Sequence, residues 1–507
     1  MLFFKATLAI LMLTLSHNTL AGEYLDNLKK RYLELEQSAK DYWEEKSTDA
    51  QPSAPSTEKE ARKNIFSASE FPADWSFDFV EEPTFKTNLL KVEAGKEHPQ
   101  SVLLVHGLGQ SGFRDWLGQI DFLKQFFHVI SFDLPGFGFS SIPEGRYSPT
   151  NYSKVVHWIV GKYANSPKVH VVGHSMGGAV TLRYASEFPD EVDRVVLADV
   201  AGVLERTAFL KHSAEIPVHI KEVPTLFTKV SAQIKDLSDS FVELSGFGPD
   251  PAGFLLENDS AWNLMLSDSP NLNAGLSLVE EDFNQAVRTF PHDTTIIWGE
   301  LDKVAPLRTG KSLNALLPKS RLITLPTAEH SPMRTHIVEF NQLLEAALRH
   351  PFQAERPSIS EHKNGALLCK NETNKTYSGV YDVVVLDHCT AITLNNISAR
   401  EIRLTESIAF INNAIVSSDK IAFSATESVA RITGSQISGE TAIYSKGSRL
   451  DIAASDLKGG KQGLVSRKKS KIIMSISQIN SAIFNGLVHG AYKLEDQSLD
   501  QQLAFPE

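Results

Sequence analysis

Val169-His170-Val171-Val172-Gly173-His174-Ser175-Met176-Gly177-Gly178-Ala179-Val180-Thr181-Leu182 decides the fold. Val169 to Val172 reads as a buried strand, and Gly178 onward reads as a helix. Between them stands Gly-x-Ser-x-Gly, which in a strand–turn–helix setting is a nucleophile elbow. The turn is tight enough that side chains at Gly173 or Gly177 would collide with the adjoining strand and helix. The serine is then held in a strained backbone geometry, with its hydroxyl presented at the top of a sheet.

Working outward, short apolar runs alternate with amphipathic segments from residue 78 to 350. Val102 to Val105, Val129 to Phe132, Val195 to Leu197, Thr295 to Trp298 and Leu322 to Leu325 read as further buried strands. Trp116 to Phe127, Tyr152 to Tyr163 and Ala179 to Phe188 read as helices between them. Strands buried on both faces and separated by helices predict a mostly parallel α/β sheet with helices on each side. Residues 203–290 interrupt this rhythm without a clear strand and predict a helical cap inserted in the sheet.

A serine hydroxyl is a poor nucleophile at neutral pH and needs a base. His330, in Pro326-Thr-Ala-Glu329-His330, follows the last predicted strand and is the candidate; His336 falls inside the next helical run. The base needs an acid to fix its tautomer. Asp302 follows the penultimate strand, completing the chain order Ser, Asp, His. Glu300 stands too close to the strand end, and Asp199, after Val195 to Leu197, is a second candidate for the acid. Backbone N–H groups of Met176 and of Leu108, in His106-Gly107-Leu108-Gly109, are the expected oxyanion donors.

These residues, with Asp133-Leu-Pro-Gly136-Phe-Gly138-Phe-Ser140, resemble the α/β-hydrolase superfamily of the capped esterase and lipase kind, over a little more than half the chain. The resemblance implies hydrolysis of a carboxylic ester through an acyl-enzyme on Ser175, with no cofactor and no metal. Amidase, peptidase and C–C hydrolase chemistry use the same triad, and a non-catalytic scaffold on this fold is a further alternative. The cap region supplies Phe209, Phe227, Phe241, Phe247, Phe254, Leu255, Leu256, Trp262 and Met265, which either line an acyl pocket or pack the cap's own core. No charged specificity pocket is legible there, so a small-molecule or acyl ester of an apolar acid is the expected substrate.

The remainder bounds the setting. The chain has 507 residues, too many for one ordinary core, with 42% hydrophobic and 22% charged residues. A formal charge of −11 argues against a nucleic-acid partner. Residues 1–21 carry Lys5, an apolar run from Ala6 to Leu15 and small residues at Thr19-Leu20-Ala21, the pattern of a signal peptide. Export to a periplasmic or extracellular space is therefore expected, with a retained anchor as the alternative. In residues 22–77, Leu25, Leu28, Tyr32, Leu35, Ala39 and Tyr42 form one helical stripe, followed by a Pro- and Ser-rich linker.

Residues 360–492 change character to short alternating segments rich in Ser, Asn and Gly. Units starting at Ile392, Phe410, Ile432, Ile452 and Met474 share an apolar residue, Asn or Ser three on, and an apolar residue two beyond. A period of about 20 residues with short strands predicts a solenoid, read as a parallel β-helix with a β-sandwich as the alternative. Such a module would hold a polysaccharide or surface polymer, or act as a spacer. Two cysteines, Cys369 and Cys389, lie near its start and would staple its first turns if paired. Residues 493–507 read as a tail.

Overall fold

The computed structural model describes residues 66–205, 262–263, 266, 269–355, 358–359 and 365–505. The expected signal, the striped helix, its linker and the cap residues Phe209 to Leu256 and Met265 lie outside the described residues.

Eight strands form the first sheet in the order β1-β2-β4-β3-β5-β6-β7-β8. All six predicted strands are among them: β3 (Ser101–Val105), β4 (His128–Phe132), β5 (Val169–His174), β6 (Val192–Ala198), β7 (Asp293–Gly299) and β8 (Ser320–Leu325). They pair in parallel. β1 (Ser76–Glu82) and β2 (Thr87–Ala94) form an antiparallel hairpin that joins the sheet at β4. Its outer strand is partly exposed and mixes charged with apolar residues, so it carries none of the continuous apolar signal that revealed the central strands. The three predicted helices form as α1 (Leu117–Leu123), preceded by a 3₁₀ turn at Gly112–Trp116, α2 (Pro149–Tyr163) and α3 (Met176–Glu187). After the insertion come α4 (Pro270–Val279), α5 (Asn284–Arg288), α6 (Leu307–Leu316), α7 (Pro332–Thr335) and α8 (Ile337–Arg349).

The C-terminal region is all β, but not an open stack of rungs. Strands β11 (Ile392–Thr405), β12 (Ile408–Ser417), β14 (Val429–Thr433), β16 (Arg449–Ala453), β18 (Ser470–Ser481), β17 (Asp456–Arg467), β15 (Gln436–Lys446) and β13 (Ile421–Thr426) pair in that order, and β13 pairs back to β11; β9 (Ala366–Lys370) and β10 (Thr376–Asp387) extend the sheet from the other edge of β11. The pairing path therefore closes into an eight-stranded parallel barrel, which corrects the open solenoid and its sandwich alternative, while every pair in it still joins residues 17–22 positions apart, the period of the repeat. Closure follows from strand length. β11 pairs β12 through Ile392–Ala399 and β13 through Ile402–Thr405, while β18 pairs β16 through Lys471–Ser475 and β17 through Gln478–Ser481. Each long strand thus spans a whole turn and pairs along one edge with both shorter strands of the adjacent turn, while β10 and β19 (Asn485–Leu494) take the opposite edges of β11 and β18.

The repeat is real, but its first two units are out of register, by two residues at Ile392 and by one at Phe410. Ile411, Ile432, Ile452 and Met474 form one paired row, whereas Phe410 sits opposite Thr393 and Arg431. Ile411 points inward and Phe410 does not, so the strand alternation settles the register. Two serine ladders hold the bends. Ser407, Ser428 and Ser448 each give their N–H to the hydroxyl of the next serine in the column, ending on Ser470, and Ser435 and Ser455 do the same toward Ser477. Glu406, Glu427, Gly447, Gly434, Ala454 and Ile476, each just before a ladder serine, take the left-handed conformation that turns the chain. Ser428→Ala should lower stability by about 1–3 kcal/mol, because the buried N–H of Ser407 loses its acceptor. Urea unfolding of the purified variant reads this, and an unchanged midpoint would show that the ladder is dispensable.

Cys369 and Cys389 are joined in a disulfide between the first two turns of this region. The segment read as a tail holds the end of β19 (Asn485–Leu494) and α9 (Leu499–Ala504), whose buried Asp500 accepts the N–H groups of Gly463 and Leu464.

Candidate active site

Ser175 closes β5 and opens α3 with φ 54° and ψ −120°. A non-glycine residue there carries strain of about 1–3 kcal/mol, sustained only when its surroundings impose it. They do so here. The Ser175 N–H is bonded to Ala198 O at 3.0 Å, and Ser175 O accepts from Gly178 and Ala201. A methyl group at Gly173 would meet Gly177 O and the Thr181 hydroxyl, and one at Gly177 would meet the carbonyls of Val105 and His106. Both glycines are thus fixed by close backbone approach, as the sequence predicted.

The structure brings Ser175, His330 and Asp302 into one hydrogen-bonded chain. His330 Nε2 lies 3.0 Å from Ser175 Oγ, and His330 Nδ1 lies 2.8 Å from Asp302 Oδ2. The other Asp302 oxygen accepts the backbone N–H of Val304 at 2.7 Å and of Ala305 at 3.0 Å. Those two bonds orient the carboxylate so that only Oδ2 is free for the imidazole. Glu300 turns outward instead, accepting from Thr324 Oγ1 at 2.7 Å. His336 bonds Thr327 and Thr335 and marks a break between α7 and α8, where a continuous helical run was expected.

The loop after β3 lies against the serine, since a methyl at Gly107 would touch Ser175 Cβ. Leu108 is the next residue, and neither its backbone N–H nor that of Met176 is engaged within the described residues. His106 and Asp133 hold this loop in place. His106 Nε2 accepts from Leu134 N, and the Asp133 carboxylate accepts from Phe113 and Phe139. Burial pushes Asp133 up to about 7, opposed by those two N–H donors. The Asp133-Leu-Pro-Gly motif is therefore a loop tie, consistent with its reading as a turn-shaping element. Trp262, the one member of the expected cap set among the described residues, is buried and donates to Asn273 Oδ1 at 3.2 Å, so it packs rather than lining an opening.

Two residues near the serine were given no role or the wrong emphasis by the sequence. His174 Nε2 sits 2.6 Å from the carbonyl oxygen of His330, so the elbow itself holds the backbone of the base. Burial pushes its imidazole down to about 3, with the neighbouring His330 adding to the fall. The unfolded chain takes up this proton near the ordinary value of about 6.5. The stability that His174 contributes is therefore complete above that pH and is lost as pH falls toward its folded value. The ring resonances of His174 should stay at their neutral position at pH 5; a midpoint near the ordinary value would show that the ring is hydrated.

Asp199 is the second. It takes φ 45°, and its Oδ1 accepts the Gly299 N–H at 2.9 Å. Burial pushes its carboxyl well above the usual range; the Gly299 N–H opposes the rise, and the neighbouring Asp302 carboxylate adds to it. The carboxyl bonded to His330 is that of Asp302, not of Asp199. The sequence signal for Asp199 was its position after β6, which also made it a rival for the acid.

A family model described as "alpha/beta hydrolase fold" matches residues 100–336. Among curated proteins, 2-hydroxy-6-oxo-2,4-heptadienoate hydrolase of Pseudomonas putida is 31% identical over 245 residues, covering 47% of this chain and 83% of its own. Lipase 1 of Psychrobacter immobilis is 25% identical over 270 residues, covering 51% of this chain and 82% of its own. An uncharacterized protein of Mycobacterium tuberculosis is 27% identical over 258 residues, covering 48% and 74%. All three leave roughly the other half of the chain unmatched.

Proposed function

The chain belongs to the α/β-hydrolase fold family, and from that premise we propose that it hydrolyses carboxylic esters through an acyl-enzyme on Ser175. The observation that carries this reading is the Ser175–His330–Asp302 chain, at 3.0 and 2.8 Å. His330 takes the Ser175 proton as Oγ attacks the ester carbonyl, and Asp302 steadies the imidazolium. The N–H groups of Leu108 and Met176 receive the negative charge that develops on the carbonyl oxygen. The protonated His330 returns its proton to the leaving alcohol. Water, deprotonated by the same histidine, then releases the acid.

A second reading is hydrolysis of a carbon–carbon bond, supported by the identity to the heptadienoate hydrolase. The lipase relative supports the ester reading. We further read the chain as exported, on its first 21 residues and on the Cys369–Cys389 pair, which an oxidising compartment would preserve.

The test is a fluorophosphonate probe on the full chain, followed by turnover of p-nitrophenyl esters of rising acyl length, aminoacyl anilides and a vinylogous 1,5-diketone acid. Labelling with preference for esters is the expected result. Preference for the diketone acid would move the assignment to carbon–carbon hydrolysis. A folded chain that takes no label would overturn the serine-hydrolase reading itself.

A further inference from the structure

We propose that the C-terminal barrel is a fixed part of the active-site framework: it pins both roots of the segment inserted between β6 and β7 and the helix behind the Asp302 loop, and so governs which acyl groups reach Ser175. The specificity clause rests on the ester reading above.

Two of the three attachments, at Glu205 and Arg308, lie within four residues of a backbone group that holds Ser175 or Asp302. At the first root, Ala201 N–H is bonded to Ser175 O, and four residues later Glu205 N–H donates to the Ser475 hydroxyl of the barrel at 2.9 Å. Leu204 packs there with Ala453 and Ile473. At the second root, Asn284 Nδ2 donates to the carbonyls of Ser477 at 3.2 Å and Val488 at 3.3 Å. Arg288, one turn on, pairs with Asp456 at 2.9 Å and donates to Ile476 O. The third attachment is Arg308 in α6, which begins two residues after Ala305, the residue whose N–H holds Asp302. Its guanidinium is bonded to Thr433 Oγ1 at 2.8 Å, Asp451 Oδ2 at 2.7 Å and the carbonyls of Ile432 and Asp451 at 3.0 Å.

A tethered module would not be built in this way. A buried guanidinium is tolerable only where preformed acceptors replace its water, and separating the two units would expose that demand on both sides. Ala454 and Ile476 of the barrel also belong to the same apolar core as the sheet of the hydrolase domain. Because both roots are held on one rigid set of strands, the distance between them is set by the barrel rather than by the insertion.

The test uses the full chain with Asn284→Ala, Arg288→Ala and Ser475→Ala, singly and combined, and Arg288→Lys as the conservative partner. Hydrogen exchange of residues 199–205 and 284–288 should quicken at least tenfold in the combined variant. KM for the longest good ester should rise at least fivefold, while kcat on the acetate and labelling of Ser175 by a small probe stay within twofold. Arg288→Lys should recover most of the loss. Unchanged exchange at both roots would overturn the pinning, whatever the substrate. Faster exchange with identical KM values for every ester, in a chain that labels normally, would overturn the control of acyl choice. A wild-type chain that takes no label would instead count against the ester reading, and the exchange result would still decide the pinning.

Discussion

Ser175→Ala should abolish probe labelling and lower ester turnover by about 10⁶-fold, with the fold intact. The loss is large because Ser175 and His330 act as a unit: without Oγ, the imidazole at 3.0 Å has no proton to take and no acyl-enzyme forms. A residual rate of about 10³–10⁴ over water is expected, since the backbone donors at Leu108 and Met176 are untouched. The strained φ of 54° persists in the alanine chain, because Ala198, Gly178 and Ala201 hold the backbone and not the hydroxyl. Turnover should therefore fall without a matching fall in melting temperature. A variant that kept more than a hundredth of the wild-type rate would place the nucleophile elsewhere.

Asp302→Asn should lower turnover by about 10⁴-fold, while Asp199→Asn leaves it within about threefold. The first effect follows from geometry. The N–H groups of Val304 and Ala305 already claim one Asp302 oxygen, so an asparagine would turn its own oxygen to them and its NH₂ to His330. That NH₂ would force the proton of His330 onto Nε2, where it blocks the transfer from Ser175. At Asp199 the amide oxygen keeps the Gly299 N–H, and the contact between Asp302 and His330 is left as it is. Steady-state kinetics on both variants decide between the two carboxyls. A large loss at Asp199 with a small one at Asp302 would reverse their roles.

Much of the site could be read from the sequence because its demands are local. Gly173 and Gly177 are needed within a few residues of Ser175, and Asp302 and His330 each follow a run of apolar residues that could only be a buried strand. Asp199 could be seen but not ranked, since its choice of partner depends on how the loops after β6 and β7 meet at Gly299. The hold of His174 on the His330 carbonyl joins residues 156 apart and left no local trace. In the C-terminal repeat region, the spacing of Ile432, Ile452 and Met474 matched the row they share, while the register of Phe410 was lost to a one-residue slip.

By itself, then, the sequence determined the order of strands and helices around the elbow, the residues of the Ser–His–Asp chain and the repeat of the C-terminal region. These depend on steric and polar requirements that act over a few residues. The tertiary structure alone decided that the repeat region closes into a barrel, that its serines stack in two ladders, and that it seizes Arg308, Asn284 and Glu205. Each of those outcomes depends on which distant hydrogen-bonding groups are buried together. A buried donor leaves no mark on its neighbours in sequence that names its acceptor.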